Sequence, residues 1–111
     1  MTKISYSSIP LDYLIIVMEH IFEIQINIFG DVQGVSFRSY LKQTAAALGL
    51  KGWVRNQEDG SILAVAQGKD KKALEEFVAC AKRGPYFARV LKIKVKWEKP
   101  EGECEGFEVR Y

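Results

Sequence analysis

Histidine and cysteine are scarce in this chain: His20 is the one histidine, and Cys80 and Cys104 are the two cysteines. A zinc site built from such ligands needs about four of them, so that chemistry is excluded. The two cysteines do not form a C-x-x-C pair and are too few for a disulfide framework, so both are read as reduced thiols. Long apolar runs are missing too. Leu14-Ile15-Ile16-Val17-Met18 falls far short of the ~20 residues that span a bilayer. It also lacks the basic flank and small-residue cleavage site of a secretory signal. A cytoplasmic protein with no membrane partner is the expectation. Nor does one sign of charge dominate. Lys and Arg number 16 against 14 Asp and Glu, for a net +2 at pH 7, which gives no bulk argument for nucleic acid.

What is present is the material for one domain. The chain has 111 residues, 48% of them hydrophobic and 27% charged. That supplies a core and an ordinary soluble surface, and it argues against disorder. No repeat, low-complexity tract or linker divides it.

Two hydrophobic periods recur along the sequence. Phe22, Ile24, Ile26 and Ile28 alternate with Glu23, Gln25 and Asn27, the period of a half-buried strand. Phe37, Tyr40, Leu41, Thr44, Ala45 and Leu48 fall at helical spacing and stop near Gly49. Lys51–Asn56 reads as a short strand, Asp59-Gly60 as a hairpin turn, and Ile62–Gln67 as an apolar, central strand. A second helix starts near Asp70, a good N-cap type. It carries Leu74, Phe77, Val78 and Ala81 on one stripe and ends at Gly84-Pro85. Leu91, Ile93, Val95 and Trp97 alternate with Lys92, Lys94 and Lys96 in another half-buried strand, and Phe107, Val109 and Tyr111 suggest a last one. The order βαββαβ predicts an α+β fold. It is a ferredoxin-like split βαβ sandwich, an antiparallel sheet with two helices on one face.

The stretch joining the first strand to the first helix breaks local rules. It reads Gly30-Asp31-Val32-Gln33-Gly34-Val35-Ser36-Phe37-Arg38. Arg38 stands in the first turn of a helix, where the dipole disfavours a cation. A bound anion resolves that conflict: loop and helix-end N–H groups cradle it and the guanidinium gives a bidentate contact. The plain alternative is a glycine-containing βα turn followed by a surface arginine. No Gly-Lys-Ser/Thr follows and the glycines do not fit G-x-G-x-x-G, so nucleotide-binding loops are disfavoured. Asn56 opens the Asn56–Gly60 turn, a common place for asparagine.

Ile28 to Arg38, I-F-G-D-V-Q-G-V-S-F-R, resembles the signature loop of the acylphosphatase family. Gly52-Trp53-Val54-Arg55-Asn56, with Gly60 and Gly68 following at the family's spacing, agrees with it, as do Gly84-Pro85, Ala88-Arg89-Val90 and the aromatic C-terminal strand. The resemblance runs from about Ile21 to Tyr111. It implies hydrolysis of the carboxyl–phosphate bond of a small-molecule acyl phosphate, without metal or cofactor. It implies Arg38 as the phosphate-binding residue and Asn56 as the holder of the attacking water. The cradle is then Gly30, Asp31, Val32, Gln33, Gly34, Val35, Ser36 and Phe37, which phosphate or sulfate also fits. Asp31 departs from the family pattern; a carboxylate there opposes an anion if it points inward.

Residues 1–20 have no counterpart in the resemblance, and the first 17 are set apart from the domain. They are expected to be an extension, or to reflect a start placed too early, with the domain proper at 18–111. A monomer is expected. Two other functions compete. One is an anion-binding module without turnover. The other is an RNA-binding sheet, disfavoured because Ile62-Leu63-Ala64-Val65-Ala66 offers no aromatic for stacking.

Overall fold

The computed structural model describes residues 10–13 and 20–111. Apart from residues 10–13, the expected extension lies outside the described residues. His20 is exposed, as a surface residue. Strand β1 (Phe22–Asp31) leads into helix α1 (Phe37–Leu48). Strands β2 (Lys51–Asn56) and β3 (Ile62–Gly68) form a hairpin. Helix α2 (Lys71–Arg83) is followed by β4 (Arg89–Glu98) and β5 (Phe107–Arg110). The sheet order is β4-β1-β3-β2-β5.

The first four strands pair antiparallel, which makes β1 and β2 parallel with β3 between them, the split βαβ arrangement. The fifth departs from the expected all-antiparallel sheet. β5 lies parallel to β2, with Gly52 opposite Phe107 and Val54 opposite Val109. The sheet is therefore mixed. The long return from β4 at one edge to β5 at the other permits the parallel direction, which a tight hairpin does not.

The core lies between the sheet and both helices. Ile24, Ile26 and Ile28 from β1 meet Val54, Ile62, Ala64 and Ala66, and on these sit Phe37, Leu41 and Ala45 of α1 and Leu74, Phe77 and Ala81 of α2. Burying each large apolar side chain contributes about 1.5–3 kcal/mol. β3 is central, as its unbroken apolar run predicts, and Ile62 to Gln67 are buried throughout. Asp70 caps α2, its side chain accepting from the Lys72 N–H at 2.9 Å. The Tyr40 hydroxyl, whose pKa burial raises, donates to the Cys80 carbonyl at 2.8 Å and ties the two helices together. Cys80 and Cys104 are both free thiols.

One strand departs from its simple period. β1 and β4 keep register up to Phe29–Lys92, then slip, so that Gly30 faces Val90. Leu91 is the extra residue of this bulge. Val90 packs against the core, and Leu91 is left 67% exposed instead of taking its expected inward place. Gly30 makes the slip possible: a Cβ there would run into the carbonyl of Arg89. The bulge ends β1 at the point where the chain turns off into the loop before α1. On the edge strand β4, Lys92, Lys94 and Lys96 are exposed, which discourages edge-to-edge pairing.

Gln67 supplies a second tie. It is 3% exposed, yet both ends of its amide are hydrogen-bonded, joining β3 to β1 and to the 99–106 connection. Its Nε2 donates to Glu23 and to the Gly102 carbonyl, both at 2.7 Å, and its Oε1 accepts from the Cys104 N–H at 2.8 Å. Gln67→Leu leaves those partners unanswered and is expected to cost about 1–3 kcal/mol, read as a lowered urea midpoint. An unchanged midpoint would show that the connection is held by other means.

Candidate active site

The loop between β1 and α1 takes left-handed backbone twice, at Gly34 (φ 76°) and Ser36 (φ 61°). Ser36 is the one non-glycine residue with positive φ among the described residues. Such a torsion costs on the order of 1–3 kcal/mol and survives where its surroundings impose it. Left-handed residues in a short loop turn N–H groups toward a common concavity suited to an anion. The Ser36 side chain makes no capping bond to α1, and the first turn of the helix carries no acidic residue. Its leading N–H groups therefore remain free of intrahelical partners.

The residues that carry them, Ser36 to Ser39, line a surface cavity of about 490 Å³ together with Val32, Gly34, Lys42, Asn56, Val109 and Tyr111. Arg38 and Asn56, 18 positions apart in sequence, thus open onto one space. Asn56 reaches it from the end of β2, next to the turn that begins β3. Arg38 is half-buried and aimed by the C-terminal strand. Its Nη1 donates to the Arg110 carbonyl at 3.1 Å, and its guanidinium carbon lies 4.5 Å from the centroid of the Tyr111 ring.

The expected cradle divides in two. Val32, Gly34, Ser36 and Phe37 line the cavity; Gly30, Asp31, Gln33 and Val35 do not. Gly30 and Asp31 belong to β1 and pair with Val90 and Arg89, and Asp31 is exposed. Its carboxylate is not among the groups facing the cavity, where the charged side chains are Arg38 and Lys42. Val35 packs on the core. Gln33 turns to the β2–β3 turn.

Lys42 and Tyr111 were not visible as site residues from sequence. Lys42 follows Arg38 by one helical turn, a spacing that places both on one face. Tyr111 arrives only through the parallel pairing of β5. A separate hollow of about 300 Å³ lies at the other end of the sheet, beside Ile21, Leu50 and Gly68. Its wall includes Lys51 and Glu103, which pair with each other at 3.4 Å. Among the described residues no three His, Cys, Asp or Glu side chains gather to hold a metal ion. No helix of the described residues is long and apolar enough to cross a membrane.

The acylphosphatase family model matches residues 24–109. An acylphosphatase of Thermococcus kodakarensis is 48% identical over 84 residues, 76% of this chain and 90% of that protein. One of Roseiflexus is 45% identical over 82 residues, 74% of this chain and 87% of the relative. Among solved structures, an acylphosphatase from Bacillus subtilis superposes with a TM-score of 0.78 at 33% identity, covering 81% of this chain and 99% of that one. The matched span contains Arg38, Asn56, the loop between β1 and α1 and every strand core, so the chain belongs to the acylphosphatase family.

Proposed function

We propose that this protein hydrolyses acyl phosphates to a carboxylate and inorganic phosphate, with Arg38 and the N–H groups at the start of α1 holding the phosphoryl group and Asn56 orienting the attacking water. The observation that carries this reading is the single cavity onto which the left-handed loop, Arg38 and Asn56 all open. Phosphoryl transfer asks for in-line positioning and for charge stabilisation on the equatorial oxygens rather than for covalent chemistry. Arg38 supplies a planar, two-pronged donor with a full positive charge. The helix-end N–H groups supply fixed dipoles that need not reorganise during the reaction.

Asn56 has an amide oxygen that accepts a hydrogen bond from water and orients its lone pair, and it cannot act as a base at neutral pH. The water oxygen forms the new bond to phosphorus as the bond to the acyl oxygen breaks. The carboxylate departs with that electron pair, and a phosphoryl oxygen takes the proton from water. The acyl carboxylate is a good leaving group, so no protein acid is needed. Inorganic phosphate, the product, and sulfate, its mimic, fit the same cradle.

Kinetics with a small aromatic acyl phosphate tests the assignment. Asn56→Ala is expected to lower kcat by about 10²–10³ while inhibition by inorganic phosphate changes less than about twofold. Rates are expected to be equal with and without a metal chelator. Full activity in Asn56→Ala would remove Asn56 from the mechanism, and loss of activity in chelator would require a metal.

A further inference from the structure

Gln33 lies in the phosphate loop by sequence, yet it is not among the residues that line the cavity. Its Nε2 donates to two carbonyls across the site, that of Gln57 at 2.8 Å and that of Ser61 at 2.9 Å. Both belong to the turn between β2 and β3, immediately after Asn56. That turn is braced on itself. The Gln57 N–H donates to the Ser61 carbonyl at 2.8 Å and the Gly60 N–H to the Gln57 carbonyl at 3.2 Å. Oδ1 of Asp59 accepts from the Ser61 N–H at 2.9 Å and from its hydroxyl at 2.5 Å. These bonds from Ser61 hold the Asp59 carboxyl below its ordinary pKa of 3.8. Ser61 is buried, and Asn56 is fixed opposite Ile62 in the β2–β3 ladder. A displacement of the turn therefore carries Asn56 with it.

The loop and the turn have no shared ladder. β1 and β2 are separated by β3, and the β1–β3 pairing ends at Ile28–Ile62, before the loop begins. Among the described residues, the two bonds from Gln33 are the hydrogen bonds that join loop to turn.

We propose that Gln33 is a positioning residue that sets where Asn56, and hence the attacking water, stands relative to the phosphate cradle. This rests on the roles given above to Arg38 and Asn56. A primary amide suits such a bridge, because it offers two N–H donors to two carbonyls and adds no charge next to the anion site. Glutamate offers no donor and sets a carboxylate against two carbonyl oxygens. Leucine keeps the shape without the bonds. Because Gln33 does not line the cavity, removing its amide acts on the water side of the reaction and spares phosphate binding.

The test compares wild type with Gln33→Leu and Gln33→Ala in two measurements. In steady-state kinetics with a small aromatic acyl phosphate, both variants are expected to lose about tenfold in kcat. KM and the inhibition constant for inorganic phosphate stay within about twofold, and the melting temperature within a few degrees. The second measurement follows 15N–1H spectra during titration with inorganic phosphate. In wild type, phosphate shifts the amide signals of residues 34–39 and also the side-chain amide of Asn56. In Gln33→Leu the loop signals still move and the Asn56 amide no longer follows. Unchanged kcat overturns the proposal, as does a loss of phosphate affinity in proportion to kcat, which would make Gln33 a direct ligand. An Asn56 response that survives in Gln33→Leu overturns it as well. A wild type that shifts with phosphate but does not turn over refutes the catalytic reading while leaving the coupling measurable. A wild type that does neither refutes both.

Discussion

Arg38→Gln is expected to reduce hydrolysis of a small acyl phosphate by on the order of 10³-fold or more, with the fold retained. Glutamine keeps an amide donor on a shorter side chain and loses the charge and the two-pronged contact with the phosphoryl oxygens. Lys42, the other cation on the cavity, sits one turn further along α1 and lacks the planar fork. The stability cost is small for a stated reason. Arg38 gives up one bond to the Arg110 carbonyl and its stacking on Tyr111. The substitution also removes a cation from a helix N-terminus, where the dipole disfavours one. The melting curve should therefore stay close to wild type while activity collapses. Arg38→Lys separates charge from geometry and is expected to fall between the two. Near-normal rates in Arg38→Gln would mean that the phosphoryl group is held elsewhere.

Gly52→Ala is expected to have the largest effect on stability. Gly52 is buried in β2 with φ 146°, and a Cβ there would run into the carbonyl of Val65 on the neighbouring strand. The torsion alone costs on the order of 1–3 kcal/mol for a side-chain-bearing residue. Relief of the clash must come from backbone on both sides, because Gly52 is paired to Ala66 on one edge and receives β5 on the other, its N–H donating to the Gly106 carbonyl at 2.8 Å. A total of about 3 kcal/mol or more follows, which for a domain of this size lowers the melting temperature by more than ~10 °C. Gly102→Ala is the control. No atom lies within 4 Å of its added Cβ and its φ is outside the positive region, so it is expected to be neutral within about 0.5 kcal/mol. Equal melting temperatures for the two variants would refute the steric argument.

Where the sequence could be read, a local period carried the information. The alternation of Ile24, Ile26 and Ile28 placed β1 and its inward face, and the spacing of Phe37, Leu41 and Ala45 placed α1. The loop glycines and Arg38 stood out because they contradict the rules of the elements around them. What stayed hidden depends on partners far along the chain. Leu91 fits a period of two, and only the slip against Gly30 turns it outward. Phe107 and Val109 announce a strand but not its direction, which the β4–β5 return sets. Gln33 looks like a cradle residue until the β2–β3 turn is in place to accept its amide. Lys42 shares a helix face with Arg38, but nothing in the sequence says that this face borders a site; Tyr111 becomes a site residue only once β5 lies beside β2.

The bond from Arg38 to the Arg110 carbonyl spans 72 positions and ends on a four-residue edge strand. Contacts of such separation close late in folding, since the entropy of the intervening loop must be overcome first. Short edge strands are also among the first parts of a domain to open locally. Competence and foldedness are thus separable in this molecule. A chain with its central strands and both helices formed but β5 frayed keeps its N–H cradle and Asn56, while its arginine has lost its anchor. Warming should silence such a protein before it melts, and on refolding, turnover should be the last native property to return.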